Sequence, residues 1–401
     1  MVSERSKLLT ESITLKLNAK ANQLADSGKE IFNLTAGQLP FKPQSELVEL
    51  IQTQAQFLKS YQYSPVPGFP ELRKKFINHF ETTRKVECPD HECLISNGGK
   101  HSVFTVLSAM INPGDEVVLL APYWVSYPHM LNLLGAKVKI VKSELYNNFT
   151  PDISDVKAAI TDKTKAVILN SPNNPSGVHY SDNWMKEFAG IVEENKNLFV
   201  ISDEIYFHVN YFDPSPTYYY QHSKETLSRT IIVDGISKAF ASTGLRIGTA
   251  IMPKEIFAAA KKIQGHTASG ANSLIQKALI DFDFENLYKF LEPIKKHLRE
   301  NSETLEDVMR EHDLSPAWYQ PLSAFYFLLD FRKSEYFLKG EFNPEDSAPE
   351  ISEKILESVG VAMVPGGDFG VPHCARISLV NEKQEFKEAI TRICQFLSLK
   401  I

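Results

Sequence analysis

Short apolar runs recur between about residues 90 and 290, and most are followed by enough helical pattern to cross back over a sheet. They lie at 94–95, 116–120, 166–169, 198–201, 231–233 and 247–252. These runs are apolar without alternation, which predicts strands covered on both faces and a mostly parallel sheet with helices above and below. Ligands in such sheets bind beyond the carboxyl ends of the strands. A long helical stretch at 282–310 is expected to tie this sheet to a C-terminal part, which reads as strands and helices around 324–329 and 375–379. The first 45 residues have little core of their own and are expected to pack with that C-terminal part. The predicted organisation is therefore an arm and part of a small domain at 1–45, a large ligand-binding domain at 46–290, and a small domain at 291–401.

Composition narrows the class. The chain has 401 residues, of which 43% are hydrophobic and 23% charged, enough for a sizeable core and two domains. A net charge of −6, with scattered Lys and Arg, offers no basic field for nucleic acid. The first twenty residues carry Arg5, Lys7, Lys16 and Lys20 without the apolar centre of a signal peptide, and no later run reaches membrane-spanning length. A cytoplasmic protein with no membrane partner is expected. The four cysteines are too few and too spread for a disulfide framework, and Cys88, His91 and Cys93 lack a second ligand pair, so no metal is expected.

The ends of the predicted strands carry the candidate chemistry. Lys238 follows the run at 231–233, and Arg246 comes eight residues later, so an amine and a guanidinium reach one mouth of the sheet. A lysine there can form an imine with an aldehyde, and the planar fork of an arginine can clamp a phosphate. Ser96-Asn97-Gly98-Gly99-Lys100 leads into a helix expected near His101, whose free N–H groups suit an anion. Trp124 follows the next strand and can lie on a heteroaromatic ring, or equally serve as a core tryptophan. Asn174 sits in the rigid turn Asn170 to Gly177, facing a ring hydroxyl on this reading. Asp203 ends an apolar strand, where a buried carboxylate must find a positive partner such as a pyridinium N–H. Singly, each of these residues also fits an ordinary turn, core or surface role; their common edge is what joins them.

In these segments the chain resembles the class I and II aminotransferase family of pyridoxal-phosphate enzymes, and the similarity covers nearly its whole length. It includes Leu34 to Phe41, Tyr63 to Arg73, the Asn-Pro-Ser-Gly turn, Ser202-Asp203-Glu204-Ile205-Tyr206, Ser237-Lys238, and Val364 to Gly370. The resemblance implies an α/β fold, with a mostly parallel seven-stranded sheet sandwiched by helices and a smaller α+β domain. It implies pyridoxal 5′-phosphate held covalently by Lys238, which would also shuttle the substrate proton, and Asp203 paired with the ring nitrogen. Tyr206 and Asn174 would bond the ring 3′-oxygen. The backbone of Gly99 and Lys100, with Ser237 and Arg246, would hold the phosphate, and Tyr63 would reach in from a second subunit of a homodimer. Arg376 would take the substrate α-carboxylate, Gly37 would close over it, and Trp124 and Asn174 would line the substrate side as well.

The substrate side chain is the harder inference. Some aspartate aminotransferases bind the distal carboxylate with an arginine that follows the phosphate arginine, but this chain has no Arg between Arg246 and Arg299. A second branch, similar here in Gly98-Gly99-Lys100 and in Ser12-Ile13-Thr14 ahead of Asn18-Ala19-Lys20-Ala21, uses the lysine and threonine instead. Lys100 and Thr14 are therefore expected to meet a dicarboxylic substrate, with aspartate and 2-oxoglutarate exchanging to oxaloacetate and glutamate. Three alternatives stay open: an aromatic or prephenate aminotransferase, a lyase with the same cofactor, and a non-catalytic regulator that senses it. Ser323, where glycine is usual in the family, and Gly235, where some members place a phosphate-binding serine, are departures that bear on the pocket.

Overall fold

The structure, a computed structural model, describes residues 2–9, 13–343 and 345–398. Among the described residues twelve strands are formed: β1 (Phe32–Asn33), β2 (His91–Ser96), β3 (Glu116–Leu120), β4 (Lys137–Val141), β5 (Thr164–Asn170), β6 (Phe199–Asp203), β7 (Thr230–Gly235), β8 (Gly248–Pro253), β9 (Tyr326–Asp330), β10 (Val361–Ala362), β11 (Val364–Pro365) and β12 (Cys374–Ser378). The central sheet has seven strands in the order β2-β8-β7-β6-β5-β3-β4. Pairing is parallel from β4 through β7, while β8 runs antiparallel to both β7 and β2. The expected α/β architecture is thus present. All six predicted runs lie in or overlap central strands, and their inner residues are fully buried, as in Val117 to Leu119 and Ala166 to Leu169.

One central strand escaped the apolar pattern. In β4, Lys137-Val138-Lys139-Ile140-Val141, only Val141 is buried, and the strand pairs only with β3 at the sheet's edge. Edge strands keep charged residues because one side stays in water. The long helix runs Asn286–Glu311, four residues later than expected at its start. Phe282 and Phe284 are buried, but they pack from the loop that follows the helix Ser273–Asp281.

The C-terminal part forms a three-stranded antiparallel sheet, β11-β12-β9, and the N-terminal segment joins it through the parallel pair β1 and β10. The N-terminal stretch does pack with the C-terminal part. This brings Gly37, just after β1, and Arg376, in β12, over the carboxyl ends of the central strands. Among the described residues no helix is long and apolar enough to cross a membrane.

Candidate active site

A cleft of about 220 Å³ opens at the carboxyl ends of the central strands. Gly37, Gly99, Lys100, Trp124, Asn174, Asp203, Tyr206, Ser237, Lys238, Arg246 and Arg376 all line it, so the structure gathers eleven of the thirteen residues singled out from the sequence. The other two are Tyr63 and Thr14. Tyr63 is 93% exposed and borders a separate hollow with Gly270 and Ala271, away from this chain's own cleft. The side chain of Thr14 lies outside the described residues.

Each group is placed by a strand end or a helix start. Asp203 closes β6 and is buried; its Oδ2 accepts a 2.6 Å hydrogen bond from the Tyr127 hydroxyl and its Oδ1 a longer one, 3.3 Å, from the Ile205 N–H. Burial raises this carboxyl to about 6, against the pull of the two donors and of Lys238, with the neighbouring Glu204 pushing the same way as burial. Lys238 sits in the loop after β7, its Nζ donating to the Gly37 carbonyl at 2.6 Å and lying 5.5 Å from the centre of the Tyr206 ring. Burial and the positive charges of Arg376, Arg246 and Lys100 lower its amine to about 8, while Asp203 opposes them. A lysine so depressed is a nucleophile near neutral pH.

Three polar groups meet on the substrate side. The Arg376 guanidinium donates to Asn174 Oδ1 at 3.1 Å and to the Thr35 carbonyl at 3.0 Å, and stacks 4.4 Å from the Tyr326 ring. Its Nε is buried without a hydrogen-bond partner. A donor in that state is costly unless a ligand oxygen meets it. The Asn174 amide lies 3.5 Å from the Tyr206 hydroxyl, which is itself 3.2 Å from the Tyr326 hydroxyl.

The anion side is built from backbone. The helix Gly99–Met110 starts at Gly99, two residues earlier than expected, and Gly99 and Lys100 of its first turn line the cleft, while the N–H groups of His101 and Ser102 are taken by the Gly98 carbonyl. Gly98 has φ 90°, and a Cβ there would come within 2.5 Å of the Arg246 guanidinium. Arg246 is held in the left-handed region at φ 57° and donates to the Thr243 carbonyl at 2.8 Å. Glycine at 98 therefore lets the arginine lie over the helix start. The two departures from the family pattern have physical reasons. A Cβ on Gly235 would lie 2.8 Å from the Ile247 carbonyl, where β7 and β8 approach closely. Ser323 is buried outside the cleft, donating to Asn210 at 2.7 Å and bonded to His179 at 2.9 Å.

Lys100 is exposed at the rim, its Nζ 4.9 Å from the centre of the Trp124 ring, and partial burial lowers its amine, as does Arg246. Trp124 meets Tyr127 edge-on, at 82°. The sequence reading missed Tyr127, Asn170, Ile205, Thr243 and Tyr326, all of which line the cleft. Asn170 falls inside the turn already noted for Asn174; the contacts of Tyr127 and Asn170 with Asp203 span 76 and 33 residues and have no local signature.

These residues fit pyridoxal phosphate. A buried carboxylate whose Oδ1 carries only one long hydrogen bond has lone pairs left for a cationic ring N–H, a depressed amine stands in the same cleft, and a helix start with an arginine can take a phosphate. The comparisons agree. The model for the family "Aminotransferase class I and II" matches residues 29–393. The aspartate aminotransferase of Bacillus sp. strain YM-2 is 33% identical over 400 residues, covering 99% of both chains. The aspartate/prephenate aminotransferase of Thermus thermophilus is 31% identical, covering 99% of this chain and 98% of that one. A solved Thermus thermophilus aspartate aminotransferase with maleate superposes with a TM-score of 0.89 at 30% identity, covering 99% of this chain and 100% of the other. With the fold, the cleft and full-length similarity in agreement, this chain belongs to the class I and II aminotransferase family.

Proposed function

We propose that this pyridoxal-phosphate-dependent aminotransferase moves the amino group of aspartate to 2-oxoglutarate, giving oxaloacetate and glutamate. The observation that carries the substrate choice is Lys100, a cation at the rim of the cleft on the Trp124 side, where a substrate's distal carboxylate would arrive. The related solved enzyme that holds maleate, a dicarboxylate, supports the same choice. A second reading, an aromatic or prephenate donor, is favoured by the Trp124 face and by the relative named for both aspartate and prephenate. A lysine is a point charge without a fork, so it selects carboxylates less strictly than an arginine.

When bound, the coenzyme supplies an aldehyde for covalent capture and a cationic ring that accepts electrons. The chain supplies the rest. Lys238 Nζ would hold the coenzyme through its aldehyde and would serve as the base for the proton on the substrate α-carbon. Asp203, fixed by Tyr127, holds a proton on the ring nitrogen. Tyr206 and Asn174 would bond the ring 3′-oxygen, and Trp124 would cover the ring. Gly99, Lys100, Ser237 and Arg246 hold the phosphate. Arg376 takes the α-carboxylate in a bidentate grip that occupies its buried Nε, with Asn174 beside it and Gly37 closing over. Thr14 contributes a hydroxyl to the distal carboxylate.

The same proposal includes a homodimer with Tyr63 completing the partner's site. Phe57, Leu58, Tyr61 and Tyr63 are 54 to 93% exposed on one short stretch, an apolar surface that suits a second copy. It also includes the domain division at 1–45, 46–290 and 291–401, and a cytoplasmic location, which four buried free cysteines suit. Keto-acid production across a panel of amino donors, repeated with Lys100→Ser, tests the substrate. Selective loss with aspartate and glutamate is expected; equal loss across all donors, or no turnover of aspartate by the native enzyme, overturns it.

A further inference from the structure

Behind the cleft, and outside its lining, lies a buried charge cluster. Glu204 follows Asp203 directly and, one residue on, its side chain is wholly buried. Its Oε2 accepts from Arg84 Nε at 2.9 Å, and its Oε1 accepts 2.8 Å hydrogen bonds from both the Ser202 and Tyr220 hydroxyls. Arg84, only 1% exposed, comes from the end of the helix Pro70–Arg84, its guanidinium 3.3 Å from the centre of the Phe207 ring. The same guanidinium reaches Asp234 of β7 at 3.6 Å, and Asp234 lies four residues before Lys238. The Glu204 N–H donates to the Val233 carbonyl at 2.8 Å, and β6 and β7 pair in register from Val200 with Thr230 to Asp203 with Val233. Arg84 is therefore a buried cation set between two strand ends, one carrying Asp203 and the other leading to Lys238.

Three carboxylates crowd these strand ends, Asp203 and Glu204 buried and Asp234 partly exposed, and like charges at close quarters drive each other towards the protonated form. A carboxylate that must stay ionised to pair with a ring N–H needs its neighbour's charge cancelled. Resting on the reading of Asp203 as the ring-nitrogen partner, we propose that Arg84 is a positioning residue for the coenzyme ring: by neutralising Glu204 and reaching Asp234 it keeps Asp203 anionic and holds the two strand ends together. Arg84 touches neither substrate nor coenzyme, and it acts through the charge of its neighbours.

The test uses the full chain freed of coenzyme and pyridoxine 5′-phosphate, whose alcohol forms no bond to Lys238, with affinity read by titration calorimetry at pH 7.5. Asp203→Asn sets the scale and is expected to weaken binding at least tenfold. Arg84→Gln, which leaves Glu204 unpaired, is expected to lose about tenfold, the loss that follows when Asp203 titrates about one unit above the assay pH. Glu204→Gln is expected to bind as the native chain does, and the double variant Arg84→Gln with Glu204→Gln to return to within about threefold of it, a coupling that only charge cancellation produces. A double variant as weak as Arg84→Gln, or a tenfold loss in Glu204→Gln, overturns the proposal, since lost hydrogen bonds would then be the cause. Should Arg84→Gln fail to fold, the Glu204→Gln single and the double still decide. If Asp203→Asn binds as tightly as the native chain, the ring-nitrogen reading itself falls. If it weakens binding while the Arg84 pattern is missing, only the present inference falls.

Discussion

Lys238 makes the most quantitative prediction. An ordinary lysine amine titrates near 10.5, and in this cleft burial first, then the positive charge of Arg376, brings Lys238 to about 8. At pH 7 about one-tenth of such amines are free, against about one in three thousand for an ordinary lysine, a gain of roughly 300-fold in reactive form. The coenzyme-free protein should be labelled by an amine-reactive probe at graded pH, with the rate at Lys238 read from its peptide by mass spectrometry. The rate should climb about tenfold per pH unit up to about 8 and then level off, whereas an ordinary lysine amine would keep climbing beyond about pH 9. Arg376→Gln should move the midpoint upward, because one of the charges disfavouring the ammonium is gone. The sign for stability follows from the same shift. Between about 8 and 10.5 the unfolded chain holds the proton that the folded site has lost. The coenzyme-free protein therefore gains stability as pH rises through that window and carries the full cost below it. A Lys238 labelling profile still rising at pH 9.5, or an Arg376→Gln midpoint that falls, would refute the reasoning.

Two other substitutions probe the scaffold. Tyr127→Phe removes the 2.6 Å donor to Asp203 and should raise that carboxyl further, weakening coenzyme affinity by about 1.5–3 kcal/mol, the usual range for a hydrogen bond to a charged group; fluorescence titration measures it, and unchanged affinity would remove Tyr127 from the account. Gly98→Ala puts a Cβ into the Arg246 guanidinium at a backbone angle that favours glycine. It should cost about 1–2 kcal/mol of stability in thermal unfolding and weaken inorganic phosphate as a competitor of the coenzyme; native-like phosphate competition would contradict the assigned anion site.

Most of the central sheet was legible because burial on both faces writes itself as uninterrupted apolar residues, as in Val117 to Leu120 and Val200 to Ile201. The strand at Lys137–Val141 was not, since an edge strand needs only part of that apolar surface. Phe282 and Phe284 extended the apparent helix because a buried loop phenylalanine looks, in sequence, like one on a helix face. The cleft could be anticipated where function is local: a lysine, an aspartate and a glycine pair each stand at the end of their own strand. Tyr127, Tyr326 and Arg84 could not. Their importance lies in contacts with Asp203, Tyr206 and Glu204, the last of these across 120 residues, and such contacts exist only after the sheet has brought the segments together. The roles of Tyr63 and Thr14 need a second subunit and a described arm, respectively.

The central claim is that one amine, at the mouth of the sheet, takes the coenzyme aldehyde. Borohydride reduction of the protein as purified with pyridoxal phosphate, followed by peptide mass spectrometry, tests it directly. The account predicts a reduced coenzyme adduct on Lys238 at close to one per chain; bound coenzyme with no adduct, or an adduct on another lysine, would contradict it.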